Sequence, residues 1–435
     1  MTNIEIGVTG IVAVLALIAL RVPIGVALGG VSVIGVMALR GPSVGAGLVK
    51  TVPFEFAASW SLSAIPMFLL MGAVAHHSGI SVSLFRAARV WFGRLPGGLA
   101  LASNFACAGF SAASGSSLAT AAAMGRITIP EMIRQGYDKG LSTGVVAAAG
   151  TLGSLIPPSI LMVIYGIFAE TSISKLLIAG ILPGILTAVI YATMITTRCW
   201  LNPALAPPVL EKSSLREKLA ATRGIWPILT LIVGIVGGIY GGIITPTEAG
   251  AFGAFLAFVI AFLQGRLTLH VFRESIMEAL VNTARIFFIA LGAVLLTKFL
   301  ALSGILFAAG ELIGDWSLDP LLLVIATSVI YVVLGMFLDP LGLMLLTLPL
   351  LLPMFEALGL NLIWLGVLVI KYLEIGLMTP PVGFTVYIVK TVVGDEVPLG
   401  TIFRGVSWFL ACEVVIVSLL VAFPQISLYL PSLMD

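Results

Sequence analysis

Two apolar stretches of this chain are each broken by consecutive prolines: residues 150–164, GTLGSLIPPSILMVI, and residues 372–387, YLEIGLMTPPVGFTVY. Proline lacks a backbone donor and clashes with the preceding turn, so each pair is expected to unwind a helix and leave carbonyls unpaired within an apolar run. In a membrane such backbone is tolerated only where protein buries it or where it lines a cavity. Opened helices in matching positions of two halves point to a binding site at the midplane of a secondary transporter.

That reading requires a membrane, and the composition supplies one. The chain has 435 residues, 60% hydrophobic and 10% charged, with a mean hydropathy of +1.16. Too few polar side chains remain to coat a soluble globule of this size, so an all-α polytopic membrane protein is expected. A net charge of +2 with scattered basic residues excludes a nucleic-acid surface. Cys107, Cys199 and Cys412 lie in or beside apolar segments without spacing, which argues against disulfides and metal clusters. The N-terminus carries Glu5 in place of a basic region and has no cleavage pattern, so it reads as a first span.

Apolar runs predict spans near 4–20, 24–39, 61–76, 139–169 (broken) and 174–197, and again near 225–243, 247–264, 283–300, 361–392 (broken) and 401–428. Two further stretches, 97–130 and 319–353, are interrupted by GFSAASGSS and GMFLDP and read as re-entrant helical hairpins. Pro23, Pro130, Pro157 and Pro158 recur as Pro246, Pro353, Pro380 and Pro381, all at an offset of 223 (246 − 23). The shared offset predicts a first repeat over 1–200 with hairpin 97–130, a cytoplasmic linker over 201–223, and a second repeat over 224–435 with hairpin 319–353. Five spans per repeat is an odd number, which inverts the second relative to the first. Arg86, Arg89, Arg94, Arg126, Arg134, Lys139, Lys212, Arg216, Lys218, Arg223, Arg266 and Arg273 share one side of this topology. By the positive-inside rule that side is cytoplasmic and both termini are extracytoplasmic. Residues 83–94 and 268–280 are predicted to be amphipathic helices along that interface.

The first tip offers Ser111, Ser114, Ser116, Ser117 and Thr120 around Gly115. Neutral oxygens of this kind suit a small hard cation, although small residues and serines also let membrane helices pack closely. The second tip offers Gly335, Asp339 and Pro340, facing Gly376, Thr379 and Gly383. Asp339 could bind the cation, orient the tip or cap the returning helix. Glu248 and Glu374 could each pair with a cation or cap a helix. Lys298, near the end of an apolar span, either snorkels to the interface or holds a substrate carboxylate, with Glu311, Asp315 and Asp319 close in sequence. His76 and His77 are expected at the surface or in a loop. No HExxH, GxSxG or GxxxxGK[ST] occurs and no histidine adjoins the serine-rich tip, which argues against an intramembrane enzyme. A passive channel suits a moving, occluding site less well than a transporter does.

At GFSAASGSSLAT, GSLIPPSILMVIYG, TPTEAGAFGA, GMFLDP and EIGLMTPPVGF the chain resembles, over essentially its whole length, the large membrane subunit of the tripartite ATP-independent periplasmic (TRAP) transporters, the DctM-like family. The resemblance implies a sodium-driven, elevator-type importer of small organic acids in a bacterial or archaeal cytoplasmic membrane, with a scaffold and a transport core. It implies two partners, an extracytoplasmic solute-binding protein and a small four-span membrane subunit, the latter not fused here. It also implies one sodium site formed by Ser111, Ser114, Gly115, Ser116, Gly153, Ser154, Ile156 and Ser159. A second would be formed by Gly335, Asp339, Gly376, Met378 and Thr379. Substrate is expected between the tips, near Ser114, Ser159, Asp339 and Lys298. Ser159 follows the first proline pair where Val382 follows the second, so the two sites need not be alike. The alternative is a stand-alone sodium-coupled dicarboxylate symporter of related inverted-repeat fold.

Overall fold

The breaks predicted from proline and glycine are where the helices end. The computed structural model describes residues 2–207, 214–308 and 319–434, apart from the side chain of Ser81. Lys212, Glu311 and Asp315 lie outside the described residues. Among the described residues the regular structure is helical, without strands. The first part contains α1 (Asn3–Ala19), α2 (Ile24–Arg40), α3 (Pro42–Ala57), α4 (Ala64–His77) and α5 (Ile80–Phe92). The first hairpin follows as α6 (Gly98–Ser114) and α7 (Ser117–Arg134). The first broken span is α8 (Lys139–Ala149), a 3-10 turn over Gly150–Ser154, and α9 (Ile160–Phe168); α10 (Ile173–Ala179) and α11 (Ile181–Leu201) complete the set.

The second part runs through α12 (Leu215–Arg223), α13 (Trp226–Tyr240), α14 (Pro246–Leu263) and α15 (Leu269–Ser303). Its hairpin is α16 (Pro320–Gly335) and α17 (Pro340–Ala357), and its broken span is α18 (Leu362–Met378) and α19 (Phe384–Val393). The chain closes with α20 (Leu399–Ala422) and α21 (Gln425–Ser432). Among the described residues five helical stretches are long and apolar enough to cross a bilayer alone, or up to seven if two bent pairs each count as one span. The broken spans escape that count because their prolines divide them.

Two departures from the sequence expectation have simple causes. Residues 268–280 and 283–300 form one helix of 35 residues, α15. The intervening Val281 and Asn282 include neither glycine nor proline, so nothing stops propagation. At about 1.5 Å per residue this helix is far longer than the ~30 Å hydrocarbon layer and must project beyond it or tilt. The second is α3, a helix in the stretch between the spans expected at 24–39 and 61–76, started by Pro42 at its first turn.

Lipid offers no hydrophobic drive between apolar helices, so small residues and close packing hold them together. Phe299 of α15 occupies room left by Gly10 of α1 and Gly35 of α2, where a Cβ would collide with its ring. α15 packs on α2 and α4, and α14 packs on α4, so these helices form one group. The hairpin α6–α7, the broken span α8–α9, and α18, α19 and α20 form another, with α20 laid along α8.

Candidate site between two helical tips

The first tip is made by one residue pair. Gly115 ends α6 in the left-handed region at φ 61°, and Ser116 caps α7, its hydroxyl accepting from Ala119 N at 3.4 Å. Only glycine fits here, since a Cβ on Gly115 would lie 2.4 Å from the Pro158 carbonyl oxygen. The tip is therefore seated on the first proline pair, and Ile160 N donates to Gly115 O at 3.3 Å. Gly153 makes a second close approach, its missing side chain leaving space for the Ser116 backbone.

The hydroxyls knit this junction together. Ser114 Oγ lies 2.8 Å from Thr120 Oγ1. Ser117 Oγ lies 2.5 Å from Ser154 Oγ and donates to Thr151 O at 2.9 Å. Ser159 Oγ donates to Ser154 O and accepts from Met162 N, capping α9. Ser111 Oγ donates to Cys107 O at 2.7 Å, within its own helix.

The second tip turns over residues 336–339, and Asp339 caps α17, accepting from Gly342 N at 3.0 Å. Capping is thus one of the roles open to Asp339 that the structure realises. Here backbone meets backbone: a Cβ on Gly376 would lie 2.8 Å from the Gly335 Cα. Thr379 ends α18 with its hydroxyl donating to Ile375 O at 2.6 Å, and Met378 is fully buried.

Between the tips lies a cavity of about 480 Å³. Its walls include Gly115, Ser116, Ser117 and Ser154 from the first junction, Asp339 and Leu341 from the second tip, and Glu278, Asn282 and Arg285 from α15. Of the residues expected to form the site, Gly115, Ser116, Ser154 and Asp339 reach this cavity. Ser111, Ser114, Gly153, Ile156 and Ser159 sit behind the first tip, and Gly335, Gly376, Met378 and Thr379 behind the second, outside the lining. Lys298 is elsewhere: its Nζ is 3.7 Å from Glu55 of α3, in a half-exposed pair. Lys298 is thus outside the lining of the inter-tip cavity and beside a carboxylate, the pairing expected of a lysine on an apolar helix.

Other assignments are settled by contacts. Glu248 forms a capping box with Thr245. His77, partly exposed at the end of α4 where a surface or loop position was expected, pairs with Glu278 of α15 at 2.8 Å. Glu374 pairs with Lys371, at 3.0 Å, and Lys371 also donates to Glu413 of α20 at 2.8 Å. Tyr191 of α11 donates to the same Glu413 oxygen. Both Lys371 and Glu374 are fully buried, while Glu374 Oε1 and Glu413 Oε2 have no hydrogen-bond partner among the described residues.

Sequence reasoning passed over Lys371, Glu413 and Arg285. The run LVIKYLEIG held the signal for the first, a lysine three residues from a glutamate inside an apolar helix. Arg285 offered the same signal in TARIFFIAL.

The geometry has relatives. Residues 11–426 match the family described as tripartite ATP-independent periplasmic transporter, DctM component. The chain is 36% identical over 381 residues to a C4-dicarboxylate TRAP transporter large permease protein of Pseudomonas aeruginosa, covering 87% of this chain and 88% of that one. It is 32% identical to the sialic acid TRAP transporter large permease protein SiaM of Vibrio cholerae, covering 86% of this chain and 87% of that one. With the isethionate TRAP transporter permease protein DctMQ of Oleidesulfovibrio alaskensis it shares 31% identity, covering 80% of this chain but 55% of that longer one. In fold it is similar to the YdaH transporter of Alcanivorax borkumensis, with a TM-score of 0.63 at 16% identity over 88% of this chain and 89% of that one. These relatives are permeases and not enzymes, and the family is one of multi-pass membrane proteins. By the match along nearly its whole length, the chain belongs to the DctM family of TRAP transporter large membrane subunits.

Proposed function

We propose that this subunit carries a small organic acid inward across a bacterial or archaeal cytoplasmic membrane, driven by sodium, with substrate held in the cavity between the tips. The observation that carries the reading is the convergence of two hairpin tips, each seated on its own broken span, on one cavity. The repeat supports it: α7 spans 117–134 and α17 spans 340–357, so both bounds shift by the same 223 (340 − 117 and 357 − 134). In this reading the hairpins and broken spans are the moving core of an elevator, and α1, α2, α4, α14 and α15 belong to the scaffold. The relatives' names supply the cargo class: C4-dicarboxylate, sialic acid and isethionate are all organic acids.

The donor set fits sodium. Ser114, Thr120, Ser117, Ser154 and Ser159 supply neutral oxygens beside nonhelical backbone. Among the described residues no group of three His, Cys, Asp or Glu side chains suits a transition metal. On this assignment Ser111, Ser114, Gly115, Ser116, Gly153, Ser154, Ile156 and Ser159 hold one ion. Gly335, Asp339, Gly376, Met378 and Thr379 hold the other, largely through carbonyls. Bound sodium supplies the driving gradient, and the chain's own part is to present oxygens and to let each tip close on its broken span. Capture from dilute solution falls to a solute-binding protein, and a small four-span subunit completes the complex, both termini of the present chain facing outside.

The test is reconstitution of the chain alone and with both partners, using succinate, sialic acid and isethionate as probes. Uptake is expected only with the partners and an inward sodium gradient. Equal uptake by the lone subunit would favour a stand-alone symporter, and uptake indifferent to sodium would remove the coupling.

A further inference from the structure

The cavity wall contributed by α15 carries a cation, Arg285, with no ion-pair partner among the described residues. Glu278, Asn282, Arg285 and Ile289 fall on one face of that helix, spaced by four, three and four residues, and all line the inter-tip cavity. Glu278 is taken by His77 at 2.8 Å. Arg285 is exposed and makes no ion pair among the described residues, although its helix is otherwise strongly apolar here. Glu278, Asn282 and Arg285 also line an adjoining cavity of about 440 Å³ with His77 and Glu274, so Arg285 stands where the two spaces meet.

An exposed guanidinium that lines a cavity is free to meet an anion entering it. Its planar fork of donors matches a carboxylate or sulfonate, and Asn282, one turn away, adds an amide donor. Across the cavity the tips offer the Ser116 and Ser117 hydroxyls, which both donate and accept, and the Asp339 carboxylate, which accepts hydrogen bonds but would repel an acid group. The charged groups Arg285 and Asp339 therefore stand on different walls with opposite sign. We propose that Arg285, assisted by Asn282, binds the acidic group of the transported molecule from the α15 side, while the tips take its neutral polar end. The proposal rests on the organic-acid reading above and assigns that acid's anionic group to a residue outside both hairpins. Because α15 belongs to the group that packs on α2 and α4, the contact is made to the scaffold and is specific to the state in which the core lies beside Arg285.

The assembled complex is treated with phenylglyoxal, an arginine-selective reagent, and modification of Arg285 is read by mass spectrometry with succinate, sialic acid, isethionate or inorganic phosphate present. At least one acid should protect Arg285 while phosphate does not. In proteoliposomes Arg285→Gln should raise the apparent KM for the protecting acid about 10- to 150-fold with the sodium constant unchanged, the range set by one charged hydrogen bond. Arg285→Lys should fall between, having charge without the fork. The side chain is exposed, so the variants should elute from size exclusion as wild type does. Uptake with no acid protecting Arg285, or with unchanged KM in Arg285→Gln, overturns this assignment and leaves the organic-acid reading standing. Neither uptake nor protection overturns both, and equal protection by phosphate reduces Arg285 to an unselective anion contact.

Discussion

The two tip junctions use one backbone device with different chemistry. At the first, a left-handed Gly115 presses on the Pro158 carbonyl, Ser114 and Thr120 pair within the hairpin, and Ser117 bonds Ser154 and Thr151 across to the broken span. At the second, Gly335 and Gly376 pack backbone to backbone, hydroxyls are few, and one carboxylate, Asp339, heads the returning helix. The broken spans differ in the same sense. At the shared offset Ala148 and Thr151 of the first correspond to Lys371 and Glu374 of the second (371 − 223 and 374 − 223). The first span is tied in by neutral oxygens and the second by buried charge. A tip junction can thus be held by hydroxyl bonds or backed by an ion cluster placed one to two turns behind it.

The largest expected effect tests that second mode of anchoring. Lys371→Met strands Glu374 and Glu413 in a fully buried site, a loss of about 3–5 kcal/mol. Thermal unfolding of the purified protein should drop steeply, whereas Ala148→Ser at the equivalent place in the first span should do little. Comparable losses for the two would erase the distinction. Next comes Gly115→Ala: its backbone conformation alone costs about 1–3 kcal/mol for a residue with a side chain, and the contact with Pro158 adds to it. In Gly335→Ala the new methyl stops 3.1 Å from Gly376 Cα in a helical residue, so a small shift relieves it. The same unfolding assay should rank Gly115→Ala well below Gly335→Ala, and the reverse order would mean that the second tip is the tighter fit.

Ser114→Ala and Thr379→Ala each delete one hydroxyl, about 1–3 kcal/mol where a buried partner loses its bond. If these hydroxyls serve sodium, apparent sodium affinity falls roughly 5- to 150-fold. The first variant should show the larger shift, because Ser114 bonds a second hydroxyl, Thr120, on the other arm of its hairpin, while Thr379 bonds a carbonyl of its own helix. Unchanged sodium dependence in both, with normal expression, would return them to packing. The smallest effect belongs to Lys298→Gln. An exposed pair at 3.7 Å contributes at most about 1 kcal/mol, so uptake with near-normal KM is expected, and a marked rise in KM would restore a substrate role.

Much of this molecule is legible in its sequence because prolines and glycines act locally. The tips at Gly115 and Asp339 and the unwound segments after Ser154 and Met378 follow from residues that cannot continue a helix. The site is less legible, for reasons of distance. Lys371 finds Glu413 across 42 residues and Tyr191 meets Glu413 across 222, pairings no local pattern encodes. Lys298 misleads because its partner, Glu55, lies on a helix that the hydropathy runs did not reveal. Arg285 was overlooked because an arginine at a span's edge resembles the many that face the interface.

The Lys371–Glu374–Glu413 cluster also bears on how the chain enters the bilayer during synthesis. A charge at the centre of an inserting helix costs roughly 2.5–3.5 kcal/mol. Lys371 and Glu374, three residues apart on one helix, neutralise each other before any later helix exists, so α18 can insert as a balanced unit. Glu413 has no opposite charge within a turn of it on α20. Its donors, Lys371 and Tyr191, both come from earlier helices. Lys371, on the earlier helix, keeps donors beyond the one given to Glu374, and Glu413, on the later helix, accepts one of them, so the pairing follows the order of translation.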